Sequence, residues 1–361
     1  MVKRIGVLTG GGDCPGLNAV LRAVVRTAIN KYNYDVIGFK DGYKGLVVNN
    51  FVRFKSDDVS GILDKGGTIL GTSNRDNPFN FMVKKDGVIE YKDMSDRIID
   101  NIGMHDIDAL VVIGGDGTLS IARDLARKGI NIVGVPKTID NDINATDITF
   151  GYMTAVETAT EAIDKLHSTA ESHHRVMILE VMGRNAGWIA LEAGIAGGAD
   201  IIIIPEIPYD INKVARSVLQ RKNAGKSFSI VVAAEGSRSI NEDTAISETS
   251  EESDDIARFG GIGNKLAYEI EKLTGIETRV TVLGYLQRGG RPIPFDRILS
   301  TRYGVEAVEL VNREEYGKMV SLKGNIMTSV SLEEVVDAVK TVPPDGELVR
   351  IAKSVGVSFG D

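Results

Sequence analysis

The chain has 361 residues, 43% of them hydrophobic and 25% charged, with a formal net charge of −8. That length exceeds one typical domain and the apolar content is enough for two cores, while the acidic balance and the lack of a concentrated Lys/Arg block exclude nucleic acid or an acidic membrane surface as the main partner. The single cysteine, Cys14, excludes an intrachain disulfide framework and fits a reducing cytoplasm, and no apolar run approaches the ~20 residues of a membrane helix.

In chain order, RIGVLT reads as a first strand rather than a signal peptide, because its apolar stretch is short and stops at a glycine cluster. GGGDCPGLNA (Gly10–Ala19) follows and opens a helix over Leu17–Asn30. Glycines there let backbone approach a ligand closely, and free N–H groups at a helix start favour an anion. The spacing is neither the dinucleotide fingerprint nor the P-loop. A strand is expected at Asp35–Phe39. DALVVIGG then runs into GGDGT (Gly114–Thr118) and a helix over Leu119–Lys128. Three glycines clear room for a polyphosphate, and Asp116 stands where a carboxylate could hold the Mg²⁺ that bridges phosphate oxygens; a tight turn with a capping Asp is the structural alternative.

The next strand, Asn131–Val135, ends in PKTIDND (Pro136–Asp142). Asp140 and Asp142 are two apart, so in an extended segment both carboxylates point to one spot while Asn141 points back. Paired carboxylates suggest acid–base or metal chemistry, although an isolated D-x-D more often caps loop backbone.

Beyond a first crossing near Gly151, Asp147–Lys165 leads into a helix that opens the second half. RVMILEVM then Ala186–Ala196, and ADIIIIP then Ile211–Ala224, continue the strand-then-helix alternation, with further strands at Ser229–Ala234 and Arg279–Leu283. This alternation implies parallel sheets covered on both faces. ISETSEESDD (Ile246–Asp255) is acidic and without apolar periodicity, so a solvated, mobile loop is expected there, with a lid role as the lesser alternative. Arg175, Arg184, Arg279 and Arg288 all fall at element ends, and several arginines converging on one site would orient a phosphate bidentately.

Taken together, GGGDCPGLNA, DGYKGL (Asp41–Leu46), GGTILGTSNR (Gly66–Arg75), GGDGT, PKTIDND, EVMGRNAG (Glu180–Gly187), AAEG (Ala233–Gly236) and ETRVTVLGYLQRGG (Glu277–Gly290) resemble the 6-phosphofructokinases of the glycolytic type, in family order and over residues 6 to about 305. GGDGT alone also occurs in NAD kinases and diacylglycerol kinases; the combination is highly specific.

The resemblance implies an α/β fold of two Rossmann-like parallel-sheet three-layer domains with the active site in the cleft between them. Residues 1–150 plus about 291–340 would bind nucleotide, and residues 151–290 plus about 341–361 the sugar phosphate. ATP would be held by Gly11, Gly12, Tyr43, Arg75 and the Gly115–Ser120 loop, which includes Asp116, Gly117, Thr118 and Ser120, with Asp116 on Mg²⁺. Fructose 6-phosphate would be held by Thr138, Met182, Gly183, Arg184, Glu235 and Arg288, completed by Arg175 and Arg279 of a neighbouring subunit in a homotetramer, or a dimer. Asp140 would be the general base for the 1-hydroxyl, with Asp142 tuning it or engaging the metal, and Lys137 and Arg184 would supply fixed positive charge.

Three positions depart from the family pattern. Tyr285 stands where a histidine commonly contacts the sugar phosphate, and a phenol cannot supply an imidazolium charge. Arg22 and Arg26 fit an effector site, but Ser56 replaces its third arginine. Lys137 is the residue that pyrophosphate-dependent relatives carry, whereas Gly117 replaces the aspartate those enzymes place against an α-phosphate. The resemblance is therefore to the mixed-substrate subgroup, with ATP as donor and pyrophosphate as the alternative. An NAD kinase would not need the arginine sets, and a catalytically dead sugar-phosphate sensor would not need both GGDGT and the aspartate pair. Whether sedoheptulose 7-phosphate is accepted is not written in these motifs.

Overall fold

In the computed structural model, residues 3–85, 87–241, 261–336 and 338–361 are described; the acidic segment 246–255 lies outside them. Apolar runs bounded by glycine or polar turns form the strands. The first part of the chain gives β1 (Arg4–Thr9), α1 (Leu17–Tyr32), β2 (Asp35–Phe39), α2 (Tyr43–Val48), β3 (Phe51–Phe54), β4 (Phe81–Lys85), β5 (Val88–Lys92), α3 (Ser95–Met104), β6 (Ala109–Gly114), α4 (Asp116–Arg127) and β7 (Ile132–Pro136). There follow α5 (Tyr152–His173), β8 (Val176–Val181), α6 (Trp188–Ala196), β9 (Ile201–Ile203), α7 (Ile211–Asn223), β10 (Ser229–Ala234), α8 (Ile262–Thr274) and β11 (Thr278–Val282). The chain closes with α9 (Pro294–Asn312), β12 (Lys318–Lys323), β13 (Ile326–Ser331), α10 (Leu332–Val335) and α11 (Glu347–Ser354).

Two units result: Met1–Met153 with Arg288–Lys340, and Thr154–Gln287 with Thr341–Asp361. In the first, seven strands run in the order β13-β12-β7-β6-β1-β2-β3. Because side chains alternate along a strand, Leu8, Ile37, Phe39, Leu110 and Val112 share one face and pack with Leu46, Ile98, Leu119 and Leu125 of α2, α3 and α4. The opposite face is covered by α1 and α9. These two helices approach so closely that a Cβ on Gly304 would lie 2.7 Å from that of Ala23. The second unit has four strands, β11-β8-β10-β9, all parallel.

Register brings the loops together. β1, β6 and β7 are parallel, with Thr9 beside Ile113 and Gly114 beside Pro136, so their carboxyl ends share one edge of the first sheet. In the second sheet Ala234 lies beside Val181. Ligand sites of open α/β sheets form at such carboxyl edges.

The sheets are less uniformly parallel than the alternation implies. β3 pairs antiparallel with β2, β13 with β12, and β4 with β5 as a separate hairpin. FVRF and IMTSVS, the two edge strands, interleave polar residues, and KMVSLK, one strand in from the edge and largely buried, carries a serine within its run, so none shows the continuous apolar run that marks a buried strand. The fourth helix also begins earlier than Leu119. Gly115 is its N-cap, and Asp116, Gly117 and Thr118 form its first turn.

Candidate active site

In the first unit the two glycine turns are tied to each other and to a third segment. Gly10 N–H donates to the Ile113 carbonyl at 2.9 Å and Lys137 N–H to that of Gly114 at 2.9 Å. Residues 72–73 wrap over Gly11: its N–H donates to the Ser73 carbonyl at 3.0 Å, and its carbonyl accepts from Thr72 Oγ1 at 2.6 Å. Arg75 follows, exposed. Thr118 explains two of the glycines, since a Cβ on Gly10 or Gly114 would fall 2.7 or 2.3 Å from its side chain. Tyr43, expected among the nucleotide ligands, is buried, and its hydroxyl donates to the Thr118 carbonyl at 2.8 Å. It supports the turn from within the core.

Gly117 has neither of these explanations. Its φ lies outside the left-handed region, and nothing stands within 4 Å of an added Cβ. Neither backbone conformation nor packing therefore requires a glycine at this position. The first intrahelical donor of α4 is Leu119 N–H, to Gly115 at 2.9 Å. The N–H groups of Asp116, Gly117 and Thr118 therefore have no intrahelical acceptor and make an anion-binding end. Asp116 and Gly117 are exposed and Ser120 is half-buried one turn on.

The PKTIDND turn lies beside them. Lys137 is buried and donates from Nζ to the Gly12 carbonyl at 2.6 Å; burial holds its pKa below the ordinary lysine value, opposed by nearby Asp140 and Asp142. Arg288 lies over the same glycine, where a Cβ would meet its Nη1 at 2.4 Å. Thr138 Oγ1 accepts from Asp140 N–H at 3.0 Å and donates to Asp140 Oδ2 at 3.2 Å, fixing a carboxylate that is only 5% exposed. The strand argument for Asp140 and Asp142 does not hold. Asn141 between them is left-handed, φ +52°, so the segment bends and the alternation of an extended chain no longer applies. Asn141 Oδ1 accepts from Thr149 N–H at 3.1 Å and from Lys340 Nζ at 2.9 Å.

In the second unit, β8 leads into Met182–Gly183–Arg184 and β10 into Glu235. Arg184 is left-handed at φ +51°, its N–H donates to Glu235 Oε1 at 3.0 Å, and a Cβ on Gly236 would lie 1.9 Å from its carbonyl oxygen. Met182 N–H donates to the fully buried Gln287 Oε1 at 2.8 Å. Tyr285, in the same short turn as Gln287, is 78% exposed. Arg175 and Arg279 are elsewhere, at the amino ends of β8 and β11. Arg175 Nε pairs with Glu277 at 2.8 Å, and Arg279 pairs with the same carboxylate. Five residue steps of strand, about 17 Å, separate that end from Met182.

Arg22 and Arg26 lie on α1. Arg26 donates to Ser60 Oγ at 2.9 Å, just past the turn that Ser56 opens. Gln287 and Lys340 are the residues that motif reading misses. Gln287 sits inside LQRGG beside a more conspicuous arginine, and Lys340 belongs to no motif. Among the described residues no group of three or more His, Cys, Asp or Glu could hold a metal ion.

The sequence pattern of the phosphofructokinase family matches residues 4–311. Over the whole chain and 99% of its relative's length, the sequence is 59% identical to "ATP-dependent 6-phosphofructokinase 2" of Clostridium perfringens. It is 49% identical, over 99% of the chain and the whole of the relative, to "Pyrophosphate–fructose 6-phosphate 1-phosphotransferase" of Streptomyces coelicolor. The phosphofructokinase of Pichia pastoris in its T-state superposes on 93% of this chain and 35% of its own, with a TM-score of 0.79 and 32% identity.

Proposed function

We propose a catalytic assignment from one premise: this chain belongs to the phosphofructokinase family. It transfers the γ-phosphoryl group of ATP to the 1-hydroxyl of D-fructose 6-phosphate, giving fructose 1,6-bisphosphate and ADP in glycolysis, the activity for which its Clostridium perfringens relative is named. The observation that carries the assignment is the shared edge of β1, β6 and β7, where two glycine turns with free helix N–H groups lie beside a lysine and a buried aspartate.

A primary alcohol is a poor nucleophile, so a carboxylate must take its proton as the bond to phosphorus forms. Asp140 has that role, held by Thr138, with Asp142 tuning it. General-base catalysis contributes roughly 10²–10⁴-fold. The rest comes from backbone N–H groups of the Gly115–Ser120 turn and from Lys137, with Arg184 assigned as a second positive charge toward the transferred group. Gly11, Gly12 and Arg75 complete the donor side, with Tyr43 supporting the turn from beneath. Mg²⁺ normally keeps several waters and binds through one or two carboxylates plus substrate phosphates, which suits Asp116; when bound it would neutralise phosphate charge.

The acceptor is assigned to Thr138, Met182, Gly183, Arg184, Glu235, Tyr285 and Arg288. Arg175 and Arg279 lie too far along their strands to join Arg184 within one copy, which supports their service to a neighbouring subunit of a homotetramer or dimer. A reducing cytoplasm suits the buried Cys14 thiol.

Lys137 carries a second reading, donor promiscuity, since a buried ammonium beside Gly12 also suits pyrophosphate. Incubating the protein with fructose 6-phosphate, ATP and Mg²⁺ and following ³¹P NMR tests the main one. Fructose 1,6-bisphosphate and ADP should appear together. No transfer to fructose 6-phosphate, or ADP released without the bisphosphate, would sink the assignment.

A further inference from the structure

The chain returns from Val335 to the PKTIDND turn before it crosses to the second unit at Thr341. Val339 forms a bridge with Ile143, and Lys340 N–H donates to the Asp142 carbonyl at 2.8 Å. The Lys340 ammonium then donates three hydrogen bonds: to Asn141 Oδ1 at 2.9 Å, the Thr146 carbonyl at 3.1 Å and the Asp147 carbonyl at 2.7 Å. An ammonium has three donors, and here all three are used on one loop.

Their distribution is informative. Asn141 stands at the start of the loop, between the two aspartates, and Thr146 and Asp147 stand at its end. Asn141 is buried and left-handed, and its Oδ1 also accepts from Thr149 N–H. One side chain therefore ties both ends of the seven-residue excursion 141–147 and holds the residue whose conformation sets the bend. Merely fastening the returning segment needs one of these bonds. Ordering a long lysine stem to make all three costs side-chain entropy, which the loop's placement must offset.

We infer that Lys340 is a positioning residue for phosphoryl transfer: it fixes the Asp140–Asp142 turn so that the base meets the acceptor hydroxyl. This rests on Asp140 being the base, as proposed above. Lys340 touches no reacting atom in this role; it acts through Asn141 and the backbone of residues 142–147.

The test compares Lys340→Met, which keeps the stem and removes the donors, and Lys340→Gln, which keeps two, with Asp140→Asn and with the Lys340→Met/Asp140→Asn double variant. A displacement near 1 Å can cost on the order of a hundredfold in rate, so Lys340→Met should lower kcat by about ten- to a hundredfold, with KM for fructose 6-phosphate and ATP changed by no more than a few-fold. Lys340→Gln should fall between it and the parent. Amide hydrogen exchange should accelerate within residues 139–149, and the double variant should be no slower than Asp140→Asn alone. Parental kcat in Lys340→Met, unchanged exchange over 139–149, or losses that multiply in the double variant would each overturn the inference. If Asp140→Asn itself keeps parental kcat, the base assignment has failed and takes this inference with it. If Asp140→Asn is impaired and Lys340→Met is not, the inference about Lys340 alone fails.

Discussion

Two turns end parallel strands in this chain, one after β7 and one after β8, and each contains a left-handed residue other than glycine: Asn141 at φ +52° and Arg184 at φ +51°. The first is a residue suited to that conformation, buried, with its side chain spent on holding the turn. The second is not suited to it. A left-handed arginine costs roughly 1–2 kcal/mol, its side chain is exposed, and the turn is held instead by Glu235 and by the room that Gly236 leaves. Asn141 suits the backbone it adopts, and its side chain holds the turn. Neither backbone nor packing accounts for Arg184, because asparagine or glycine would fit that conformation at lower cost.

The largest expected effect separates the reacting carboxylate from the residues that hold it. Asp140→Asn keeps the shape and removes the basicity, so kcat should fall by roughly 10²–10⁴-fold while KM for fructose 6-phosphate barely moves, a loss confined to the transition state. Steady-state kinetics decides this, and a variant within a few-fold of parental kcat would assign the base elsewhere.

Next comes Gly117, whose bare backbone neither φ nor packing requires. With ATP bound along this turn as proposed, a carboxylate there would meet its α-phosphate at a point that pyrophosphate never reaches. An unfavourable contact of ~3 kcal/mol corresponds to about a hundredfold. Gly117→Asp should therefore lower kcat/KM for ATP by about that factor, and for pyrophosphate far less; equal losses with both donors would argue for general damage to the turn.

The two left-handed residues themselves make a matched pair. Arg184→Asn should hold stability level or raise it by about 1 kcal/mol, yet lower kcat/KM for fructose 6-phosphate about tenfold or more. Asn141→Ala should destabilise by about 2–3 kcal/mol, from the left-handed alanine and the unmade bonds of Thr149 and Lys340. Urea midpoints beside kinetics check both. If Arg184→Asn proved as destabilising as Asn141→Ala, the contrast between the turns would collapse.

The smallest effect concerns Lys137. Burial holds its folded pKa below 10.5, so between that lowered value and 10.5 the unfolded chain binds a proton that the native one has released, and stability gains with rising pH. The stability of the parent relative to Lys137→Met should therefore improve as pH climbs through that alkaline window and stay flat below it. A difference independent of pH would mean that the lysine titrates normally.

Much of this was legible in the sequence because the informative residues sit at strand ends, where apolar runs stop at glycine. GGGD, GGDGT and PKTIDND each announce a carboxyl edge, and register alone then sets them side by side. Less legible were contacts made across long separations. Nothing around Lys340 marks it as the anchor of a turn 199 positions earlier, and Gln287 is fixed to Met182 only by the fold. The D-x-D spacing misled because one left-handed asparagine converts an extended segment into a bend. The antiparallel edge strands escaped notice because their polar alternation resembles loop sequence.

The central claim is that the β1, β6 and β7 edge is built for ATP, with Gly117 keeping its α-phosphate site open and Lys137 lending charge. The most direct measurement is kcat/KM of the parent protein for ATP and for pyrophosphate at saturating fructose 6-phosphate and Mg²⁺. A preference for ATP of about a hundredfold or more is predicted. Equal use of the two donors, or a preference for pyrophosphate, would contradict the donor assignment while leaving the acceptor chemistry at Asp140 standing.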